Sequence, residues 1–361
     1  MREVALLFLK LGLIAFGGPA AHIALMRDEV VKRRRWLSDQ QFLDLVGAAN
    51  VIPGPTSTEL AIYLGYTRAG PRGLVLAGAL FILPAMLMVL AFAWAYVEFG
   101  STPQAGAILY GIKPVIIAVV LQAIYGLGRA ALKNWLLVAG CLSTILLYAA
   151  GANPLLPLFG SALAVMAVQN GTRVLARRQR AAAAAPFSLL LLVLTFLKIG
   201  ATLYGSGYVL LAFVRDDFVA RLGWLTDQQI LDAVAVGQFT PGPVFTTATF
   251  IGYLVGSWPG AVLATLAVFL PSFLLVAVVY PLVPRLRASA WASAFLDGVN
   301  AAAVGLMAVV AWQLGLSSIV DPVTLGMCLV AAVLLLRWRV NSAWLVLAGA
   351  GAGLITTAVR A

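Results

Sequence analysis

The chain has 361 residues, of which 62% are hydrophobic and 10% carry a charge. A soluble globular protein is close to one-half apolar and about one-quarter charged, so this composition excludes a soluble domain and indicates a polytopic membrane protein. The net charge of +11 does not indicate a nucleic-acid partner, because most Lys and Arg residues lie in short loops between apolar segments. Two cysteines and one histidine are too few to build a metal site, and we expect no cofactor.

The first apolar segment continues from Val4 to Leu25 without a signal-peptide cleavage site. We therefore expect a retained first span. Gly17-Gly18-Pro19 interrupts it, and Lys10 lies inside it. A charge at the bilayer centre costs about 2.5 to 3.5 kcal/mol, so we expect Lys10 to face the protein interior as a substrate ligand or ion-pair partner. The alternative is that it snorkels to the interface.

A predicted helical hairpin follows the basic loop of residues 27–35. Ser38 and Gln41 have capping-box spacing, which predicts a helix from about Asp39 to Asn50. Pro53-Gly54-Pro55 then breaks the helix, and Pro55 at the first helical position starts another that ends near Tyr66. Each piece has about 11 residues and reaches about 17 Å, against about 30 Å of hydrocarbon. The pattern therefore predicts a re-entrant hairpin and not a span.

Four further spans complete the first half, which we place at residues 1–172. They are predicted at 73–97, 106–128, 134–151 and 155–172. Residues 173–186 contain four arginines before an alanine run, and this pattern predicts a basic cytoplasmic linker. The second half then comprises residues 187–361.

The two halves are a duplication. Phe8-Leu9-Lys10-Leu11-Gly12 recurs as Phe196-Leu197-Lys198-Ile199-Gly200, and residues 36–44 recur as 224–232 with seven of nine positions identical. The turn at Pro53-Gly54-Pro55 recurs with the same spacing as Pro241-Gly242-Pro243, whereas Leu83-Pro84 recurs one position early, as Leu270-Pro271. One residue has therefore been lost from the second half.

Loop charges predict that the halves are inverted. The loop of residues 27–35 has five basic and two acidic residues, whereas its counterpart, residues 215–221, has two of each. The charge bias reverses between the later loops in the same way, and the positive-inside rule then puts matching loops on opposite sides. We expect an all-α membrane protein of about ten spans in two inverted repeats, plus one re-entrant hairpin in each half. Both termini would lie outside the cell.

The two Pro-Gly-Pro turns predict an anion site. Each turn starts a helix whose N-terminus has free N–H groups and about half a positive charge. First-turn hydroxyls add ligands that need no charge to be desolvated. From the residues alone, the substrate is a small oxyanion. The candidate substrate-binding residues are Lys10, Gly17, Gly18, His22, Pro53, Gly54, Pro55, Thr56, Ser57, Lys198, Thr240, Pro241, Gly242, Pro243, Thr246 and Thr247.

Three acidic or titratable side chains leave alternatives open. Glu59 lies on a helix proposed to bind an anion and has no acidic counterpart in the second half, where Thr247 matches it. It either pairs with a lysine or titrates and couples protons to transport. His22 is a proton carrier, a hydrogen-bond donor or a structural residue. Asp232 matches an aspartate of the first half and fits a polar interfacial helix face.

The segments Phe16–Met26, Ile52–Ala61 and Phe239–Pro243 strongly resemble the chromate ion transporter (CHR) family in its long two-domain form. The resemblance covers nearly the whole chain. It implies a secondary transporter in the cell membrane that expels chromate and confers chromate resistance, with sulfate as the look-alike ion. The second half departs from the motif with Tyr204-Gly205-Ser206-Gly207, so we expect the two halves to contribute unequally.

Two other classes of function stay open on the sequence. An anion channel would share the basic, pseudosymmetric architecture, and it differs from a transporter in flux that neither saturates nor runs uphill. A membrane enzyme acting on lipid phosphates would also use helix N-termini and lysines, but the chain has no recognisable catalytic set. We expect a non-enzyme in contact with the lipid bilayer, with a homodimer as one alternative for its oligomeric state.

Overall fold

The computed structural model describes residues 1–15, 18–49, 52–170, 187–204, 209–279, 290–338, 340 and 342–360. Helices and turns make up these residues, and no strand occurs among them. The helices of the first half are α1 Arg2–Ile14, α2 Gly18–Arg27, α3 Asp39–Ala49, α4 Thr56–Phe99, α5 Pro103–Ala131, α6 Trp135–Ala149 and α7 Leu155–Asn170. Those of the second half are α8 Leu189–Thr202, α9 Leu210–Val214, α10 Asp227–Phe239, α11 Thr247–Val279, α12 Ala290–Ser318, α13 Pro322–Arg337 and α14 Ser342–Arg360.

The helices form two compact units, and each unit takes segments from both halves of the chain. The first unit contains Met1–Gly100, Phe187–Gly207 and Val236–Arg285. The second contains Ser101–Pro186, Tyr208–Ala235 and Leu286–Ala361. The compact units therefore do not coincide with the two sequence repeats.

In the first unit, α1 packs on α4, α8 packs on α11, and α4 packs on α11. Glycines allow the first two contacts to be close. A Cβ on Gly12 would lie 2.9 Å from the carbonyl oxygens of Leu80 and Phe81, and a Cβ on Gly200 would meet the carbonyl of Val268. Gly12 and Gly200 are matching positions of the repeat, so the duplicated sequence makes the same helix contact twice.

In the second unit, the helices of the two halves are exchanged. The first-half helix α5 packs on α13 and α14, and the second-half helix α12 packs on α6 and α7. Gly111 and Gly349 bring the backbones of α5 and α14 into contact, because a Cβ on Gly111 would meet the carbonyl of Gly349. Neither half therefore completes this unit alone.

Both long helices contain a matching break. In α4, Ala69 (φ −146°, ψ 23°) and Gly70 (φ 62°, ψ −154°) leave the helical region, and in α11, Gly256 (φ −138°, ψ 19°) and Ser257 (φ 53°, ψ −150°) do the same. A proline follows each break, directly after Gly70 in α4 and two residues after Ser257 in α11. The prediction of a short helix that ends near residue 66, followed by a separate span from 73, agrees with this break.

The predicted start of the hairpin is confirmed in both halves. The backbone N–H of Gln41 donates to Ser38 Oγ, and Gln41 Oε1 accepts from the N–H of Ser38 at 2.9 Å. Thr226 and Gln229 form the same pair of bonds in the second half. The helices begin at Asp39 and Asp227, which match the sequence prediction.

Four predicted boundaries need correction or fall outside the described residues. The first apolar segment is not one continuous span, because α1 ends at Ile14 and α2 begins at Gly18, where the glycine pair and Pro19 do not continue a helix. Pro55 is the N-cap of α4 and not its first residue. Pro243 likewise caps a 3₁₀ turn, Val244–Thr246, that precedes α11. The predicted linker lies outside the described residues.

Five helices in the described part of the chain are long and apolar enough to cross a membrane. They lie within Thr56–Phe99, Pro103–Arg129, Val244–Val279, Asp297–Ser318 and Ser342–Val359. Trp135–Ala149, Leu155–Val168, Leu189–Thr202 and Pro322–Arg337 are apolar but shorter. The fold is that of a helical membrane protein, and the count of ten spans, like the inverted orientation, stays a prediction.

Candidate transport site

Hydrogen bonds that cross between the halves hold the two Pro-Gly-Pro turns. The N–H of Gly54 donates to the carbonyl of Leu203, 2.7 Å away and just past the end of α8. The N–H of Gly242 donates to the carbonyl of Ala15, 2.8 Å away and just past the end of α1. Ala15 and Leu203 are matching positions of the repeat. Each half therefore supplies the acceptor for the other half's turn, and both turns lie in the first unit.

Both turns require glycine. Gly54 has φ +139° and Gly242 has φ +94°, which is backbone that residues with a Cβ rarely adopt. A Cβ on Gly54 would meet Glu59 Oε1 and lie 2.5 Å from Ser272 Oγ, whereas a Cβ on Gly242 would lie 2.7 Å from Ala85 Cβ. The glycines therefore admit close contact from the partner helix at each turn.

The first-turn hydroxyls are buried, and those of the second half bond to their own backbone. Thr246 Oγ1 donates to the carbonyl of Pro243, and Thr247 Oγ1 donates to the carbonyl of Val244, both at 2.8 Å. Thr240 donates to the carbonyl of Val236 at 3.1 Å. Since these protons are already used, the backbone N–H groups are the donors that the second turn offers to an anion in this conformation.

In the first half, Thr56, Ser57 and Thr58 are all buried at the start of α4. Thr58 Oγ1 has no hydrogen-bond partner among the described residues. Pro53 is half-buried, whereas Pro55, Pro241 and Pro243 are buried. Gly18 begins α2, and Gly17 lies outside the described residues. The turns predicted as anion sites are therefore both enclosed by protein.

Glu59 is fully buried beside the first turn. Its side chain is 0% exposed, and Ser272 Oγ of α11 donates to its Oε1 at 3.4 Å. Its other oxygen, Oε2, has no partner among the described residues. Tyr204, which is half-buried, directly follows Leu203, the acceptor of the Gly54 bond. No cation of the described chain pairs with this carboxyl group.

His22 lies at the second turn, although it belongs to the first half. It is 1% exposed, and its Nε2 lies 2.9 Å from the carbonyl oxygen of Ala15, which also accepts from Gly242. The ring packs edge-on against Phe81, with 5.7 Å between ring centroids. The other nitrogen, Nδ1, is buried without a partner among the described residues. The two buried titratable groups of the site thus sit at different turns.

The matching lysines of α1 and α8 have different surroundings. Lys10 Nζ forms an ion pair with Glu29 Oε1 at 2.7 Å, and Glu29 also accepts from Arg33 and Arg34 at 3.2 and 3.3 Å. The hydrogen bond from Lys10 holds the pKa of Glu29 below its usual range. Lys10 therefore has a carboxylate partner in the loop after α2. Lys198, at the matching position of α8, is half-buried.

A second ion pair lies in the other unit. Lys113 Nζ on α5 is 3.2 Å from Asp232 Oδ1 on α10, and their side chains are 13% and 1% exposed. Our sequence interpretation put Asp232 on an interfacial helix face, whereas the structure buries it with a counter-charge. A lone lysine within an apolar span is the signal that such a partner exists.

Ser272, which approaches Glu59 from a helix 213 residues away in the chain, was not among the predicted site residues. Tyr204 was recognisable only as a departure from the family motif. Both residues could have been found by comparing matching positions of the two halves, because each differs from its counterpart. Ala85 occupies the position of Ser272 in the first half, and Phe16 that of Tyr204. Among the described residues, no group of three His, Cys, Asp or Glu side chains is arranged to hold a metal ion.

The long apolar helices and the two buried Pro-Gly-Pro turns are those of a multi-pass α-helical membrane protein. The sequence pattern of the Chromate transporter family matches residues 2–166 and again residues 190–354, so this chain belongs to the chromate transporter family. The chain is similar to the chromate transport protein of Cupriavidus metallidurans, with 35% identity over 97% of this chain and 91% of that protein. No solved structure matches it.

Two further relatives give the same result. The probable chromate transport protein of Synechococcus elongatus is 33% identical over 94% of this chain and 91% of its own length. The chromate transport protein of Pseudomonas aeruginosa is 34% identical over 92% of this chain and 86% of its own length. The similarity therefore extends over both halves and includes both turns.

Proposed function

We propose that this protein is a secondary transporter that exports chromate across the cytoplasmic membrane and thereby confers chromate resistance, with sulfate as the alternative oxyanion. The observation that carries the proposal is the pair of crossed hydrogen bonds between Gly54 and Leu203 and between Gly242 and Ala15. These bonds put two broken-helix N-termini in one buried unit. Helix N-termini at breaks of this kind bind anionic groups of substrates in several transporter folds.

The chemistry of the turns suits an oxyanion. A dianion needs several donors, and each turn offers the N–H groups of a helix start together with the positive end of the helix dipole. Glycine lets the backbone approach the ligand closely. No fully charged side chain has to be stripped of water to make this site, so a bound anion is held by dipoles and is able to leave again.

Glu59 supplies the coupling in this proposal. It lies one turn into α4, near the anion site, where an ionised carboxylate would repel a dianion and a neutral acid would not. An isolated buried carboxylate is also costly. Proton binding at Glu59 and anion binding therefore favour each other, and thermodynamic linkage makes this preference reciprocal.

The membrane potential drives this cycle outward. A dianion carried together with one proton moves a net charge of −1. One elementary charge gains about 2.3 kcal/mol per 100 mV of potential, and an inside-negative cell expels negative charge. The proton lowers the charge to be moved and adds a dependence on pH at the cytoplasmic face.

Uptake of labelled chromate and sulfate into inside-out vesicles tests the proposal. We expect uptake that saturates, that is driven by a positive vesicle interior, and that increases when the medium at the cytoplasmic face is made more acidic. Vesicles without the protein give the background. Flux that rises linearly with chromate concentration and never exceeds equilibrium would instead identify an anion channel.

A further inference from the structure

The two turns have different surroundings, although the duplication gives them the same Pro-Gly-Pro sequence. Gly54 faces Ser272, and Gly242 faces Ala85. These partner residues are themselves matched, since each directly follows the proline of a repeated Leu-Pro pair. Tyr204, which follows Leu203, matches Phe16, which follows Ala15 in the sequence. Ser272 and Tyr204 thus carry hydroxyl groups where their sequence counterparts, Ala85 and Phe16, are apolar.

Glu59 is the third such difference. Gly65 packs against the carbonyl of Gly73, and Gly252 packs against the carbonyl of Gly260, so the two glycine pairs are equivalent positions of the repeat. The segment from Gly242 to Gly252 is one residue shorter than the segment from Gly54 to Gly65. The lost residue therefore lies between Gly242 and Gly252, so Glu59 matches Thr246 or Thr247. Both hydroxyls bond to their own backbone, and neither residue titrates.

All three differences lie at the first turn, and we define these residues as the Glu59 cluster: the buried Glu59 and Ser272, and the half-buried Tyr204. Ser272 Oγ lies 3.4 Å from Glu59 Oε1, and both side chains are 0% exposed. Gly54, whose missing side chain makes room for the carboxyl group, is bonded to the residue before Tyr204. The carboxyl group is therefore in contact with the backbone of the turn.

We propose that the Glu59 cluster is the proton-binding site of the transporter, with Ser272 and Tyr204 as positioning residues. This proposal rests on the proposed function. A serine hydroxyl both donates and accepts hydrogen bonds. It donates to the ionised carboxylate and accepts from the protonated acid, so it holds the side chain against Gly54 in both charge states. The matching positions of the second turn carry none of these three groups, so that turn has no proton site of this kind.

Several charged or titratable groups on the helices around Glu59 have partners other than Glu59. α1, α2, α3 and α11 pack on α4, and the described residues of α11 contain no charged side chain. Lys10 of α1 pairs with Glu29, His22 of α2 bonds to the Ala15 carbonyl, and Asp39 of α3 pairs with Arg27. The other charged residues on these four helices are Arg2 and Glu3 on α1 and Asp44 on α3. Lys198 lies on α8, which packs on α11.

The test compares variants of the full chain in inside-out vesicles, with chromate uptake measured from pH 6 to 8 in sodium-free buffer. Ser272→Ala removes the donor that stabilises the ionised form of Glu59. We expect the midpoint of its pH profile to move to higher pH by about one unit, and uptake to remain saturable. Ser272→Thr keeps the hydroxyl, and we expect it to restore the wild-type midpoint. Tyr204→Phe should also move the midpoint, and it carries the test if Ser272→Ala fails to insert.

Ala85→Ser is the matched control, because it puts a hydroxyl at the symmetry-related position. We expect its pH midpoint to equal that of the wild type. Wild-type profiles for both Ser272→Ala and Tyr204→Phe would overturn the assignment of the cluster. Wild-type uptake that depends on added sodium and not on pH would also overturn it, since the oxygens of the cluster would then bind sodium and not a proton. Absence of chromate uptake by the wild type at every pH would instead refute the proposed function itself.

Discussion

The carbonyl of Ala15 accepts the N–H of Gly242 at 2.8 Å, although the two residues lie in opposite halves of the chain. The same oxygen accepts from His22 Nε2. Because a carbonyl oxygen only accepts, this contact assigns the ring proton to Nε2. One backbone atom thus joins the end of α1, the only histidine of the chain and the second Pro-Gly-Pro turn.

Replacing His22 tests that junction. We expect His22→Leu, which introduces the residue of the matching second-half position, Leu210, to lower the free energy of unfolding by about 1 to 3 kcal/mol. It removes one donor to a buried carbonyl and fills the ring space incompletely. His22→Gln keeps a donor and should lose less. Thermal unfolding in detergent measures both, and equal stability of the two variants would contradict the role of the Ala15 bond.

The inverted arrangement of the repeats has a direct test at the matched hairpin starts. Cysteines at Ser38 and Thr226 are expected to react with an impermeant thiol reagent from opposite faces of the membrane, because the flanking loops differ in basic charge. Cys141 and Cys328 are buried, and replacing both with alanine gives a clean background. Labelling of both sites from one face would exclude the inverted reading.

Valine at either turn glycine is expected to abolish chromate resistance while the protein still inserts. Gly242 allows a sharper test, because the atom nearest to an added Cβ is Ala85 Cβ at 2.7 Å. Gly242→Ala should be inactive or weakly active, and adding Ala85→Gly should restore part of the activity by removing the clash. The backbone strain of about 1 to 3 kcal/mol at this φ remains, so recovery is expected to be partial. Resistance on chromate plates and protein level on immunoblots give the readout.

Glu59→Gln imitates the protonated, loaded form. We expect it to keep or improve chromate binding, to lose the pH dependence of flux, and to fail to accumulate chromate against a gradient. The competing hypothesis, an ion pair between Glu59 and Lys10 or Lys198, predicts weaker binding that a Lys→Met change partly restores. Binding and flux of the single variant from pH 6 to 8 separate them, because weakened binding with unchanged pH dependence rules out proton coupling.

The buried pair of Lys113 and Asp232 predicts a large stability effect in the second unit. Asp232→Asn leaves the ammonium group without its counter-charge, at a cost of about 3 to 5 kcal/mol. Adding Lys113→Met should recover much of this loss, since the buried charge is then gone. The exposed pair of Lys133 and Asp297, 60% and 32% exposed, is the control and should be worth less than about 1 kcal/mol. Chemical unfolding of the single and double variants gives the coupling energy.

Features with a local cause were predictable from the sequence. Ser38 and Gln41 fix a helix start through their own hydrogen bonds, and the sequence Pro53-Gly54-Pro55 prevents a helix from continuing through it. The break after Tyr66 and the positions of α5 to α7 follow from the same local rules. These elements need no knowledge of what packs against them.

Features that depend on pairing between the halves were not predictable. Nothing near His22 in the sequence indicates that it would serve the turn around Gly242, and nothing near Ala85 indicates that its counterpart would contact Glu59. Lys10 was expected to face the protein interior as a substrate ligand or an ion-pair partner, and its observed partner is the loop carboxylate of Glu29, 19 residues on. The contacts at the two turns are set by packing between segments from opposite halves of the chain, and the sequence of one segment does not indicate which distant segment packs against it.

The crossed turns also have a consequence for biosynthesis. Gly54 leaves the ribosome long before Leu203, its hydrogen-bond acceptor in the second half. At about 5 to 20 residues per second, the first turn waits roughly 7 to 30 s for its partner. During that interval the carboxyl group of Glu59 also lacks Ser272. The nascent first half therefore has to be kept in a hydrated or chaperoned environment, and premature release into lipid would strand a buried acid before its partner helix has been made.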